Sequence, residues 1–185
     1  LPNFRLPTHI HSRSANAKWL TEIAHKNPIW IHSKDAKKLK VSDGDLLKIT
    51  TEIGWFVDKV WVTEAIKPGV VACSHHIGRW RRQQDAGNRF MTNTVSINKI
   101  GKGQWKMKTE KGIEPWETND PDTNRIWWRD GGVHQNITHS ANPDPISGAH
   151  CWLQKVSISK PKNDEKYGDI FVDTNKSFKH FKKWN

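Results

Sequence analysis

IKPGVVACSHHIGRW, residues 66–80, sets a turn, a strand and a polar loop end to end. Pro68-Gly69 is a turn signal. Val70–Ser74 is apolar and rich in β-branched residues, and so reads as a buried strand. The strand runs without a normal turn into His75, His76, Ile77, Gly78, Arg79 and Trp80. Gly lets the backbone come close to a ligand, Arg offers a planar fork for phosphate or a carbonyl-rich ring, and Trp offers a stacking face. A loop of similar chemistry, HSRSAN, lies upstream at His11–Asn16, and another, GGVHQN, lies downstream at Gly131–Asn136. Three polar loops carried on strands predict one large, polar, anionic ligand held by one barrel-like domain.

Working outward, Phe4, Leu6, Thr8 and Ile10 alternate, while Pro2 and Pro7 bar a helix, so residues 1–10 read as an opening strand. A short helix is predicted over Ala17–His25, ended by Asn27-Pro28. Pro28–His32 reads as a strand. Ser33 is the predicted N-cap of a helix ending near Lys40, with Asp35 in its first turn. Gly44 suits a turn at positive φ. Leu46–Ile53 and Trp55–Thr63 read as strands joined at Gly54. Their apolar residues fall on both faces, which predicts a sheet covered on both sides.

Beyond Trp80 the character changes. Residues 81–127 are polar and rich in turn residues, and are predicted to be a peripheral excursion. Regular structure is expected again near Ile126–Trp128, then a loop at Pro143–His150 and a last strand at Trp152–Ser159. From Pro161 the chain reads as a polar, basic tail carrying one apolar patch, DIFV, and the aromatic knobs Phe178, Phe181 and Trp184.

The 185 residues suffice for one domain with a core. The chain starts at Leu1 without an apolar leader, and so reads as a processed product or a fragment; the compartment stays open. No run approaches the roughly 18 apolar residues of a membrane helix. Only 35% of residues are apolar, and the mean hydropathy is −0.80. The 11 Trp and 6 Phe therefore carry much of the hydrophobic load and predict flat contact surfaces. A net charge of +11 points to an anionic partner. The basic residues are dispersed, which disfavours nucleic acid. Cys73 and Cys151 belong to no CxxC, so a zinc or iron–sulfur framework is not expected. No nucleophile, base and orienting group stand at a readable spacing for hydrolysis.

The order of these signals resembles the C-terminal molybdopterin-dinucleotide-binding domain of the dimethyl-sulfoxide-reductase superfamily of molybdenum and tungsten oxidoreductases. HSRSAN, NPIWIHS, DAKKLKVSDGD, IKPGVV with SHHIGRW, GVHQN, and DPISG with LQKVSIS follow one another as the family's segments do. The likeness covers residues 1 to about 160. It is nearest in look to the branch handling polysulfide, thiosulfate or sulfite. His134 stands where the family has the first of two asparagines, so only Asn136 of that pair carries over.

The resemblance implies a mainly β fold with short helices, a six-stranded double-psi β-barrel over residues 1–160, and a basic C-terminal tail over 161–185. It implies a bis(molybdopterin guanine dinucleotide) cofactor with Mo or W, held jointly with the remaining domains of a larger catalytic protein. An iron–sulfur electron-transfer subunit is a further implied partner; neither nucleic acid nor a direct membrane span is. The metal ligand and cluster cysteines belong to other domains, so the isolated chain is expected to lack oxidoreductase activity.

Three sets of residues are the candidate cofactor contacts. His11, Ser12, Arg13, Ser14 and Asn16 suit pterin edges and phosphate oxygens, but equally an N-capping turn. His75, His76, Gly78, Arg79 and Trp80 form the second set. Adjacent histidines on an extended segment point to opposite faces, so a shared metal ion is not expected. His134, Gln135 and Asn136 form the third, with amides able to pair with a pterin edge, or to make a turn after Gly131-Gly132. Lys155 could meet a phosphate or simply be exposed. Asp144 and Ser147 are expected to shape their loop, and His139 and His150 to face solvent. The alternative function is a stand-alone basic barrel that binds RNA or single-stranded DNA by Trp stacking and Lys/Arg contacts.

Overall fold

The computed structural model describes residues 1–14, 17–24, 26–78, 81–82, 95–109, 132–150 and 153–183. The chain is mainly β with short helices, as the sequence implied. Its strands are β1 (Asn3–Phe4), β2 (Ile29–His32), β3 (Leu46–Thr50), β4 (Gly54–Thr63), β5 (Val71–Ser74), β6 (Arg81–Arg82), β7 (Val95–Gly101), β8 (Gln104–Thr109), β9 (Ser157–Ser159) and β10 (Ile170–Asp173). The helices are α1 (His11–Ser14), α2 (Lys18–Ile23), α3 (Ser33–Leu39) and α4 (Thr174–Phe181), with a 3-10 turn at Gln135–Thr138.

The sheet is mixed and runs β1-β5-β2-β4-β10-β8-β7-β6, with β3 joined to β4 and to β9. β4 organises it. Its first half pairs antiparallel with β3 on one edge and β10 on the other, while its second half pairs parallel with β2. Both edges of β4 are thus bonded, and Phe56, Val57, Asp58 and Val60 are all buried. This accounts for the two-faced apolar pattern of the sequence. Phe56, Ile170 and Met107 stand in register across β4, β10 and β8, each fully buried. Burying a side chain of this size stabilises the fold by about 1.5–3 kcal/mol. Gly54 is required where β10 crosses, because a Cβ there would lie 2.1 Å from the carbonyl oxygen of Phe171.

Several local expectations are corrected. The opening strand shrinks to β1. The helix expected to be capped by Ser33 is capped one residue earlier, where the His32 ring accepts from the Lys34 N–H at 3.0 Å. That bond uses Nδ1, leaving Nε2–H for Glu64 at 2.9 Å. Within 81–127, expected to be an excursion, the described residues build β6, β7 and β8. The Gly101–Gly103 turn closes the β7–β8 hairpin, and Met107 reaches the core. The expectation at Ile126–Trp128 lies outside the described residues.

The segment from Pro161, read as a tail, supplies β10 and α4. Asp173 caps α4 by accepting from the N–H groups of Asn175 and Lys176. Phe178 and Phe181 on α4 stay exposed, as knobs would. Of the tryptophans, Trp30 and Trp61 meet edge to face at 4.6 Å, and Trp55 stacks on Phe171 at 6.1 Å under the Lys48 ammonium. Trp30 and Trp55 are half-buried in these contacts, whereas Trp61 and Trp19 are exposed.

Candidate functional site

The three polar loops converge. The first is tethered to the second through imidazoles: the His11 ring lies 5.2 Å from that of His75 and 5.0 Å from that of His76. The second and third interlock through their backbones. Gly78 (φ +99) lies so close to the third loop that a Cβ would sit 2.1 Å from the His134 nitrogen. Gly132 (φ +80) is equally hemmed in by Ile77 and Asn27. Only glycine fits both the dihedral and the space at these positions.

HSRSAN opens with the helical turn α1. Its Ser14 is buried and satisfied locally: Oγ accepts from the Ile10 N–H at 2.7 Å and lies 3.1 Å from His9 Nδ1. Ser14 thus closes the turn before it, and does not cap the helix that follows: α2 has Ala17 at its N-cap and no side-chain cap. Arg13 is exposed. The side chain of Ser12, and Asn16 as a whole, lie outside the described residues, as do Arg79 and Trp80.

His75 and His76 do not point apart. β5 ends at Ser74 and the chain bends, so strand alternation stops there. The two rings instead stack with centroids 4.2 Å apart and planes 28° apart. Candidate ligand atoms of His11, His75 and His76 all lie within 4.8 Å of one another. The geometric objection to a shared ligand is thereby overturned. His76 Nδ1 accepts from the Leu6 N–H at 3.2 Å and faces Ser74 Oγ at 3.2 Å. A neutral His76 ring so held carries its proton on Nε2. Nε2 is buried and has no partner among the described residues.

The protonation of these rings is set by burial and by one another. Burial lowers the pKa of His75, followed by the charges of His11 and Arg5, against a backbone bond to Phe4. Burial, then His75, His11, Arg5 and His9, lower that of His76 to about 4. His134 is lowered by burial too.

In the third loop the two amides differ. Gln135 is buried and engaged on every side: Nε2 donates to Asn3 Oδ1 at 2.9 Å and to the Ser74 carbonyl at 3.2 Å, and Oε1 meets His139 Nε2 at 2.9 Å. Asn136 donates from Nδ2 to the His75 carbonyl at 3.0 Å, while its buried Oδ1 has no partner among the described residues. Lys155 is exposed on the segment leading into β9, outside this constellation. Asp144 accepts from Ser147 N–H at 2.7 Å, Ser147 Oγ at 2.9 Å and Ile146 N–H at 3.1 Å, shaping the loop as expected.

His139, expected at the surface, is buried, and burial lowers its pKa to about 4. Asn27, Arg5 and Leu6 escaped the sequence reading. Asn27 stood beside a helix-ending proline and so read as punctuation, and nothing in the sequence marks a backbone N–H such as that of Leu6.

Residues 1–109 match the family profile described as "Molydopterin dinucleotide binding domain". A putative catalytic subunit of dimethyl sulfoxide reductase from Halobacterium salinarum is 30% identical over 93 residues, covering 50% of this chain and 11% of that protein. The alpha subunit of the F420-dependent formate dehydrogenase of Methanocaldococcus jannaschii is 34% identical over 87 residues, covering 47% and 12%. A selenate reductase subunit of Mesobacillus selenatarsenatis is 38% identical over 68 residues, covering 30% and 6%. The matched part of this chain thus spans about a tenth or less of these curated relatives. Nothing in these matches supports the RNA or single-stranded DNA alternative.

Proposed function

The chain belongs to the molydopterin dinucleotide binding domain family, and on that premise we propose that it is the part of a molybdenum or tungsten oxidoreductase that closes over a bis(molybdopterin guanine dinucleotide). One observation carries the reading. At the meeting point of the three loops, a buried donor, His76 Nε2–H, and a buried acceptor, Asn136 Oδ1, lack partners among the described residues. Leaving such groups unpaired costs about 1–3 kcal/mol each. A pterin dinucleotide, which presents ring N–H donors and phosphate oxygens, matches that chemistry, with a ring donor for Asn136 Oδ1 and an oxygen for His76 Nε2–H.

The groups acting on these rings suit the dinucleotide's phosphates. Among the described residues they are Arg5, His9 and His11, none of them a carboxylate, and His11 acts on His134 as well. His11, His75, His76, His134 and Asn136 would hold the cofactor, with Ser12, Arg13, Asn16, Arg79, Trp80 and Lys155 as further candidate contacts. Gln135 and Ser14 would act indirectly, by fixing the loops. Bound there, the cofactor would supply metal-centred oxo or electron transfer, and the protein would supply position, charge and exclusion of water. The parallel β2–β4 and β1–β5 pairings beside antiparallel ones are compatible with a double-psi barrel as the core of the sheet. The proposal is completed by redox chemistry on oxyanions or sulfur compounds, by the remaining domains of the catalytic protein, and by an iron–sulfur partner.

The test is the molybdenum, tungsten and guanine-nucleotide content of the full protein that carries this chain. His76→Ala and Asn136→Ala are expected to lose cofactor at least several-fold, with folding checked by thermal melting. Full content in both well-folded variants would overturn the reading.

A further inference from the structure

We propose that the His11–His75–His76 cluster is an oxyanion seat that takes up protons together with its ligand, so that anion binding at the meeting point of the loops is coupled to pH. This rests on the cofactor-binding reading above and adds to it how that site is charged.

Three imidazoles packed with centroids 4.2–5.2 Å apart can hold either a metal ion or an anion. A metal needs a lone pair from each ring. His76 does not offer one, because the Leu6 N–H occupies Nδ1 and the remaining proton of the neutral ring sits on Nε2. What it presents is a buried N–H without an acceptor among the described residues. That is the complement of a ligand oxygen. Backbone conformation also favours a built site: His11 sits at φ +45, a region unusual for a side-chain-bearing residue. It is held there by the Ser14 hydroxyl, which bonds both the Ile10 N–H and the His11 carbonyl.

Charge supplies the second half of the argument. Among the described residues, the groups that face the cluster are Arg5 and His9 ahead of α1, His134 on the third loop and His139 just beyond it, all cationic or able to become so. None of them is a carboxylate. Without a counter-ion, burial and repulsion from neighbouring cations disfavour a proton on His75 and His76. A multiply charged oxyanion set among them reverses that balance, and protons move from solvent onto the imidazoles. By linkage, whatever the anion does to proton affinity, protons do equally to anion affinity, at up to about tenfold per pH unit for each proton taken up. The ligand chemistry is a tetrahedral oxyanion group, either a phosphate of the dinucleotide or a free oxyanion.

The experiment is a pH titration of the histidine ring C–H signals of the 185-residue chain by NMR. It compares chloride, sulfate and guanosine diphosphate at equal ionic strength, with His11→Gln, His75→Gln and His76→Gln providing assignments. Sulfate does not titrate near neutral pH, so any linkage comes from the protein. At least one ring of the cluster is expected to titrate about one pH unit or more higher with either anion, equivalent to tenfold coupling. Tighter binding of guanosine diphosphate than of sulfate would identify a dinucleotide phosphate as the source, and equal binding a free oxyanion; both uphold the seat. Binding with unmoved titrations would overturn proton coupling and leave the cofactor reading intact. No binding of either anion, with the chain folded, would overturn the seat, while the cofactor reading stands or falls separately on the metal and guanine-nucleotide content of the full protein.

Discussion

Asn27 and Val133, 106 positions apart, bond each other in both directions, from Asn27 Nδ2 to the Val133 carbonyl at 2.8 Å and from the Val133 N–H to Asn27 Oδ1 at 2.8 Å. The side-chain amide of Asn27 behaves as one more rung of sheet backbone. A further bond from Nδ2 reaches the Ser74 carbonyl at 3.0 Å, so one buried residue joins β5 to the third loop. Asn27→Ala would leave the buried Val133 N–H without its acceptor and take one bond from each of two carbonyls, which keep a bond from Gln135. We expect a loss of about 2–4 kcal/mol, measured by urea unfolding. Asn27→Asp should do no better, because it keeps the acceptor and loses both donors.

Gly78 tests whether the loops must interlock. Its positive φ and the 2.1 Å approach to His134 leave no room for a methyl group. Gly78→Ala is expected to lower stability by about 2 kcal/mol or more, since a strained dihedral and an overlap act together. The same variant should weaken binding of guanosine diphosphate, read by titration calorimetry.

Removal of residues 161–185 tests the role of β10. Ile170 and Val172 would leave the core, and β4 and β8 would each lose a bonded neighbour. The truncated chain is expected to lose cooperative thermal unfolding and its near-ultraviolet circular dichroism. A sharp transition retained by the 1–160 chain would contradict the placement of β10 as an inner strand.

Acid should destabilise the ligand-free chain. Burial holds His76 and His139 near about 4, below the ordinary histidine value of 6.5. Between those values the unfolded chain binds more protons than the folded one, so stability falls as pH falls through that window. In a buffer free of phosphate and sulfate, we expect the melting temperature to drop by several degrees from pH 7 to pH 5, at about 2–4 °C per kcal/mol. The double variant His76→Gln, His139→Gln should show a smaller drop.

The sequence disclosed the elements that obey local rules. β2, α3, β3, β4 and β5 follow from alternation, breakers and turn residues, and each lies close to its expected position. β7 and β8 escaped because their lysines and polar residues hide the few side chains that matter, and β10 because its short apolar run, DIFV, stands alone in a basic segment. Met107, Ile170 and Val172 gain meaning only from register with distant strands. At the site, residue types alone brought three loops under suspicion. They could not tell Gln135, engaged within the protein, from Asn136, whose oxygen is left over. That difference depends on Asn3 and Ser74, far away in the chain. The stacking of His75 on His76 was likewise hidden, since it depends on a bend that no residue there demands.

The inner position of β10 has a consequence for synthesis. About 60 residues separate β8 from β10, so at 5–20 residues per second a ribosome needs roughly 3–12 s to pass from one to the other. Throughout that interval β4 and β8 stand with bare edges turned toward each other, and nascent chains side by side on one message expose the same unsatisfied rows. A chaperone that shields those edges, or a slower message that spaces the ribosomes, would raise the yield of folded protein without touching any residue of the site.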